Sequence, residues 1–246
     1  MHLYIYDDFL GKSKYNKTVN KIETRITDLG LSGKIIRLSN LKNIDNAIWS
    51  EIKRGARTLV VVGNDGSFNK VLKTLLAKEV SFFLDEIFLS FIPVESSQIG
   101  LSLGIKSYTD ACNILLARRT ESIKVAKANN YFFLSQAEVL LKNVSISIED
   151  SYKLESSDKG SVYIINMPTF NISKLLPKKI DPRDEYLHIY IESKGHSFVP
   201  AKKIKVSGAD KSYITLDNST QIDLPCSLGM SGKKVNIIVG KNRVFL

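Results

Sequence analysis

The sequence predicts an α/β plus all-β protein: an N-terminal Rossmann-like domain built on a parallel sheet, followed by a C-terminal β-sandwich domain. Three observations predict it. In the first half, short apolar runs alternate with stretches whose apolar residues recur every three or four positions. In the second half only short β-rich runs remain, divided by Gly, Pro, Asn, Asp and Ser. The 246 residues suit one to two domains, and a 43% hydrophobic content is enough to bury a core. The change of period places the boundary so that the domains are 1–122 and 123–246.

Residues 3–6 read as a strand. Val19, Ile22, Ile26 and Leu29 follow at helical steps, and Gly30 supplies the stop. Residues 34–38 form the next strand, and Ile44, Ala47, Ile48 and Ile52 a second helical stripe closed by Gly55. The β-branched run 58–62 suits a strand buried on both faces, and Val71, Leu72, Leu75 and Leu76 mark the helix after it. Residues 87–92 are a fourth strand ended by Pro93, and Ser107 or Thr109 caps a helix carrying Ala111, Ile114 and Leu115. In such a repeat, ligands sit at the carboxyl ends of the strands, here just after Val62 and Ile92. Residues 144–148, 162–165, 187–191, 204–206 and 235–239 are the strands of the second half.

Charge narrows the function classes. The chain carries 35 Lys+Arg against 25 Asp+Glu, a net +10, with 17 basic and 13 acidic residues in 1–122 and 18 and 12 in the rest. An even excess with no basic arm argues against nucleic acid and suits phosphate ligands or anionic membrane. Lys178-Lys179 and the 202–205 lysine cluster read either as solvated strand edges or as contacts with anionic lipid. Cys112 and Cys226 lie in no metal-like spacing, His2, His188 and His196 are scattered, and the start has no basic region followed by a long apolar one. The most apolar stretch, VSFFLDEIFLSFIPV, is broken by Asp85 and Glu86, so a cytoplasmic protein is expected, peripheral to a membrane at most.

The segment TLVVVGNDGSFNKVL carries the strongest chemical signal. A buried strand ends in Gly63-Asn64-Asp65-Gly66-Ser67 and a helix begins at once. The glycines let a ligand approach the backbone, and the unpaired N–H groups and dipole of the helix start favour an anion such as phosphate. Asp65 beside a phosphate calls for a cation such as Mg²⁺ or a ligand proton to accept. The residues alone leave this reading level with another, in which Asp65 and Ser67 only cap the helix.

GNDGS with FNKV resembles the GGDGT-x-NE-V motif of the diacylglycerol kinase catalytic domain, whose superfamily includes bacterial lipid kinases and, more distantly, NAD kinases. FIPVESSQIGLSLGI is similar to that family's second glycine-rich segment, with Pro93 and Leu103-Gly104-Ile105 matched, and YIYDDFLGK sits at its first loop with Gly11 retained. The resemblance implies the two-domain fold and a lipid kinase that passes the γ-phosphate of Mg-ATP to a hydroxyl such as that of diacylglycerol. It assigns Asp65 to catalysis and, through Mg-ATP, to the metal. To the nucleotide it assigns Gly11, Gly63, Asn64, Gly66, Ser67, Asn69, Ser96, Ser97 and Gln98. Its implied partners are a nucleotide and a lipid at an anionic membrane surface, with a homodimer left open. The departures support an alternative, a catalytically inactive nucleotide-binding or regulatory member. Lys70 stands for the family's glutamate, Glu95 and Ser97 for its second-motif glycines, and Asp217-Asn218-Ser219 for the DGE segment that holds its base. Asp223 is the candidate replacement for that base.

Overall fold

A computed structural model describes residues 1–38, 44–76, 81–141, 144–156, 160–192, 196–208 and 212–245. The chain divides into two compact units, Met1–Ile123 with Lys234–Val244, and Lys124–Lys233 with Phe245–Leu246. The sequence reading set one crossing at 122/123. The chain crosses at Ile123/Lys124, back at Lys233/Lys234 and once more at Val244/Phe245, the first two crossings falling inside the strands Thr120–Ala128 and Cys226–Ile238.

In the first unit the order is β1 (His2–Tyr6), α1 (Asn16–Asp28), β2 (Gly33–Arg37), α2 (Ile44–Lys53), β3 (Thr58–Gly63), α3 (Asp65–Leu76), β4 (Phe88–Pro93), α4 (Gln98–Ser102) and α5 (Tyr108–Ala117). The four strands lie in the order β2-β1-β3-β4, all parallel. Every residue of β3 is buried, as its unbroken TLVVVG run requires of a central strand with helices on both faces. At the edge, β2 exposes most of its residues and keeps Ile35 45% exposed. Helix α1 turns Val19, Ile22 and Ile26 inward and is followed by Gly30 at φ +66°, a conformation that glycine takes without strain. Ser107, one of the two expected caps, accepts the Asp110 N–H at 3.2 Å to start α5.

The second unit, with β5 and β16 each divided between the units, comprises β5 (Thr120–Ala128), β6 (Tyr131–Phe133), β7 (Gln136–Leu140), β8 (Val144–Ile148), β9 (Tyr152–Ser156), β10 (Ser161–Ile165), α6 (Phe170–Ser173), β11 (Leu187–Glu192), β12 (His196–Ala201), β13 (Lys203–Gly208), β14 (Tyr213–Leu216), β15 (Thr220–Asp223) and β16 (Cys226–Ile238). One antiparallel sheet has the order β12-β11-β10-β7-β14-β15. It shares a core with strands β8, β13 and β16, in which Ile146, Val206 and Leu228 join Val162, Ile164 and Ile189. This is a sandwich, as the period-2 runs imply. The first half of β16 pairs antiparallel with β13 and its last turn of chain, at Asn236 and Ile237, pairs parallel with β4. The 235–239 run therefore belongs to a parallel pairing, which its near-continuous apolar pattern already suits.

Candidate functional site

The loops that leave β1, β3 and β4 meet at the carboxyl ends of those parallel strands. The ladder runs past the strand ends, since Asp7 N–H donates to the Val62 carbonyl at 3.1 Å and Val94 N–H to the Gly63 carbonyl at 2.9 Å. Both expected positions, after Val62 and after Ile92, are thereby joined to a third loop that begins at Asp7.

Asn64 caps α3. Its Oδ1 accepts the Ser67 N–H at 3.0 Å, while its own N–H donates to Ser67 Oγ at 3.1 Å. Of the two residues expected to cap this helix, Ser67 does so as the reciprocal partner of Asn64 in a capping box, and Asp65 does not. Ser67 is buried, and its hydroxyl donates across to Asp7 Oδ2 at 2.6 Å, tying the β3 loop to the β1 loop. Asp65 reaches the other way. Its carboxylate accepts from the Ser97 hydroxyl, from Gln98 N–H at 3.0 Å and from Ile99 N–H at 3.4 Å, so it satisfies the start of α4. Ser97 in turn accepts the Gly100 N–H at 2.7 Å. One carboxylate thus fastens together two motifs more than thirty positions apart, with charge-assisted hydrogen bonds.

Internal packing accounts for Gly63. A Cβ there would overlap Ser67 Oγ and sit 3.2 Å from the Asp7 Cβ. Gly66 is exposed at the first turn of α3, with only Asn64 Oδ1 near a would-be Cβ, at 3.2 Å. Asp65 and Gly66 contribute the first N–H groups of α3, which have no acceptor within the helix. Ser96 is exposed in the connection from β4 to α4, Gln98 is half-buried, and Asn69 is buried along α3. Gly11 is exposed at the end of a 3₁₀ turn, and a Cβ there would meet open space.

Two residues that sequence reasoning did not single out complete the group. Asp7 also accepts the Phe9 N–H at 3.1 Å, and the Tyr15 hydroxyl donates to Glu95. Asp7-Asp8 directly after an apolar strand was the available signal, because carboxylates at a parallel strand's carboxyl end lie where ligands bind. Glu95, which stands for a glycine of the family's second motif, is held by Tyr15, whose ring packs edge-on against Phe9 at 5.0 Å. Among the described residues, no group of three or more His, Cys, Asp or Glu is placed to hold a metal ion.

In the second unit, Asp223 is exposed on the edge strand β15, opposite Tyr213. Asp217 and Asn218 have φ of +47° and +54°, and Ser219 N–H donates to the Leu216 carbonyl at 2.9 Å, a type I′ hairpin turn. Asp217 accepts from the N–H groups of Leu134, Ser135 and Gln136 at 2.9, 2.8 and 3.2 Å. The segment matched to the family's base is here a hairpin whose aspartate organises the β6–β7 connection.

No protein-family model matches the chain, and no curated protein matches it in sequence. Solved structures do. A candidate diacylglycerol kinase from Bacillus anthracis str. Sterne superposes with a TM-score of 0.76 at 16% identity, covering 98% of this chain and 97% of that one. A diacylglycerol kinase from the same source gives 0.73 at 17% identity, with the same coverage of both chains. The chain has the diacylglycerol kinase fold. That fold places the GNDGS and FIPVESS segments on adjoining parallel strands, where their similarity to the family's two glycine-rich loops was read. Among the described residues of this diacylglycerol-kinase-fold chain, no helix is long and apolar enough to cross a membrane.

Proposed function

We propose that the chain binds a nucleoside triphosphate, ATP, at the ends of β1, β3 and β4 and transfers its γ-phosphoryl group to a lipid hydroxyl such as that of diacylglycerol. The observation that carries this reading is the Asp65 linkage. It draws the start of α4 against the start of α3, so that the loops after β3 and β4 present one surface with the free amides of Asp65 and Gly66 and the exposed Ser96 hydroxyl. Such amides and a helix dipole favour phosphate. The kinase fold of the solved neighbours supports the same assignment.

In the transfer, the lipid oxygen forms a bond to the γ-phosphorus, the bond from that phosphorus to the β,γ-bridging oxygen breaks, and the nucleoside diphosphate leaves. The hydroxyl proton goes to solvent. ATP supplies the phosphoryl group; the chain's residues supply position and charge neutralisation. The described residues do not fit a protein-held Mg²⁺, since the Asp65 carboxylate is taken up by three donors.

A second reading, nucleotide binding without turnover, is favoured by Ser219 standing in a closed hairpin where the family's glutamate belongs. Loss of a general base typically costs ~10²- to 10⁴-fold, so slow transfer is the expected outcome. Incubating the chain with γ-labelled ATP, Mg²⁺ and diacylglycerol in mixed vesicles separates the two readings. Label in the lipid fraction above a no-protein blank supports transfer, and label confined to ATP while binding persists supports the second reading.

A further inference from the structure

We infer that the surface formed by segment 174–186 and the end of β12 in the second unit is a docking face for an anionic lipid bilayer. This segment lies on the outer face of the sheet, where Ile172, Ile180 and Tyr190 form a small second core with Leu176 and Phe198 packed on it. Burying those residues leaves others facing out. Leu175 is 48% exposed and Tyr186 42% exposed, both large apolar or aromatic side chains on the same segment.

Lysines surround them. Lys178 Nζ lies over the Phe198 ring at 5.7 Å, Lys202 Nζ over the Tyr186 ring at 5.1 Å, and Lys174 and Lys179 are exposed on the same stretch. The acidic residues nearby are largely spoken for. Asp181 forms a two-point pair with Arg183, and Glu185 pairs with Lys124, so Asp184 is the one carboxylate of the segment without a bridging cation in that group. No carboxylate bridges to Lys174, Lys178, Lys179 or Lys202 among the described residues. Four ammonium groups without a bridging carboxylate, on and beside the segment that exposes a leucine and a tyrosine, match a bilayer surface: the charges meet anionic headgroups while Leu175 and the Tyr186 ring enter the interfacial layer. The positive charge and the apolar tips together select a lipid surface over a purely charged polymer. The inference deepens the kinase reading by naming where its lipid partner lies, but its readout needs no nucleotide.

The test is co-sedimentation of the full chain, without ATP, with vesicles of phosphatidylcholine alone and with 30% phosphatidylglycerol, a fraction set at about the anionic content where basic clusters bind. Binding to the anionic vesicles and not to the neutral ones is expected. The double substitution Lys178→Ala/Lys179→Ala should lower it by roughly 30-fold, from about 1 kcal/mol per lysine. Leu175→Ser should weaken it with no change in its salt dependence. Lys17→Ala/Lys21→Ala on α1 is the control for net charge, and retained thermal midpoints exclude unfolding. Three results would overturn the inference: equal binding to both vesicles, equal loss in the α1 control, or competition by single-stranded RNA that leaves Leu175→Ser unaffected. Vesicle binding that persists when ATP binding is absent would leave the docking face standing and defeat only the kinase reading.

Discussion

Gly63 shows how a residue read for its chemistry is used for packing. Its missing side chain lets the Ser67 hydroxyl come close enough to reach Asp7. Gly63→Ala should destabilise the chain by about 1–3 kcal/mol, the usual range for an added methyl in a site that cannot relax, measured by urea unfolding. An unchanged midpoint would mean that the Ser67–Asp7 tie is not what the glycine protects. Asp65 was legible as a residue of the site, but the helix it caps was not, because a sequence cannot say which of two helices a carboxylate will cap. Cys226 is buried in the core of the second unit, and burial pushes its thiol up to about 11, so it stays protonated at neutral pH.

Elements with strong periodicity were legible, and those without it were not. The run 58–62 and the stripes of α1, α2 and α3 follow from apolar spacing alone. Strand β5 is TESIKVAKA, charged at every third position, and β12 carries Pro200, which an edge strand tolerates; neither reads as a strand on its own. The outer face of β11 and β12 also sets a pH dependence. His188 is buried against Phe198 with ring centroids 5.2 Å apart, and its pKa lies below the usual value because burial disfavours the charged ring, with Lys178 adding to this and Asp184 opposing it. Unfolded chains therefore bind more protons at His188 than folded ones. Its contribution is fully present above the unfolded value of ~6.5 and is lost as pH falls from there toward the lowered folded value. Thermal midpoints at pH 7.5 and 5.5 should fall with acidification, and less so in His188→Phe. An equal fall in both would remove His188 from the account.

At the scale of the molecule, the alternation of the first half and the period-2 runs of the second were enough to predict both architectures, and the structural neighbours share them across nearly the whole chain. The return of Lys234–Val244 to the first unit was not legible, since pairing of β16 with β4 depends on partners far apart in sequence. The central claim, that the joined loops bind a nucleoside triphosphate, is tested most directly by calorimetric titration of ATP into the full chain beside Gly66→Glu. Gly66 is exposed in the first turn of α3, where an acidic side chain suits the helix dipole but repels phosphate. The account predicts saturable binding in the native chain and a loss of about tenfold or more in the variant at an unchanged thermal midpoint. Equal binding by both chains, or none by the native chain up to millimolar ATP, would contradict it.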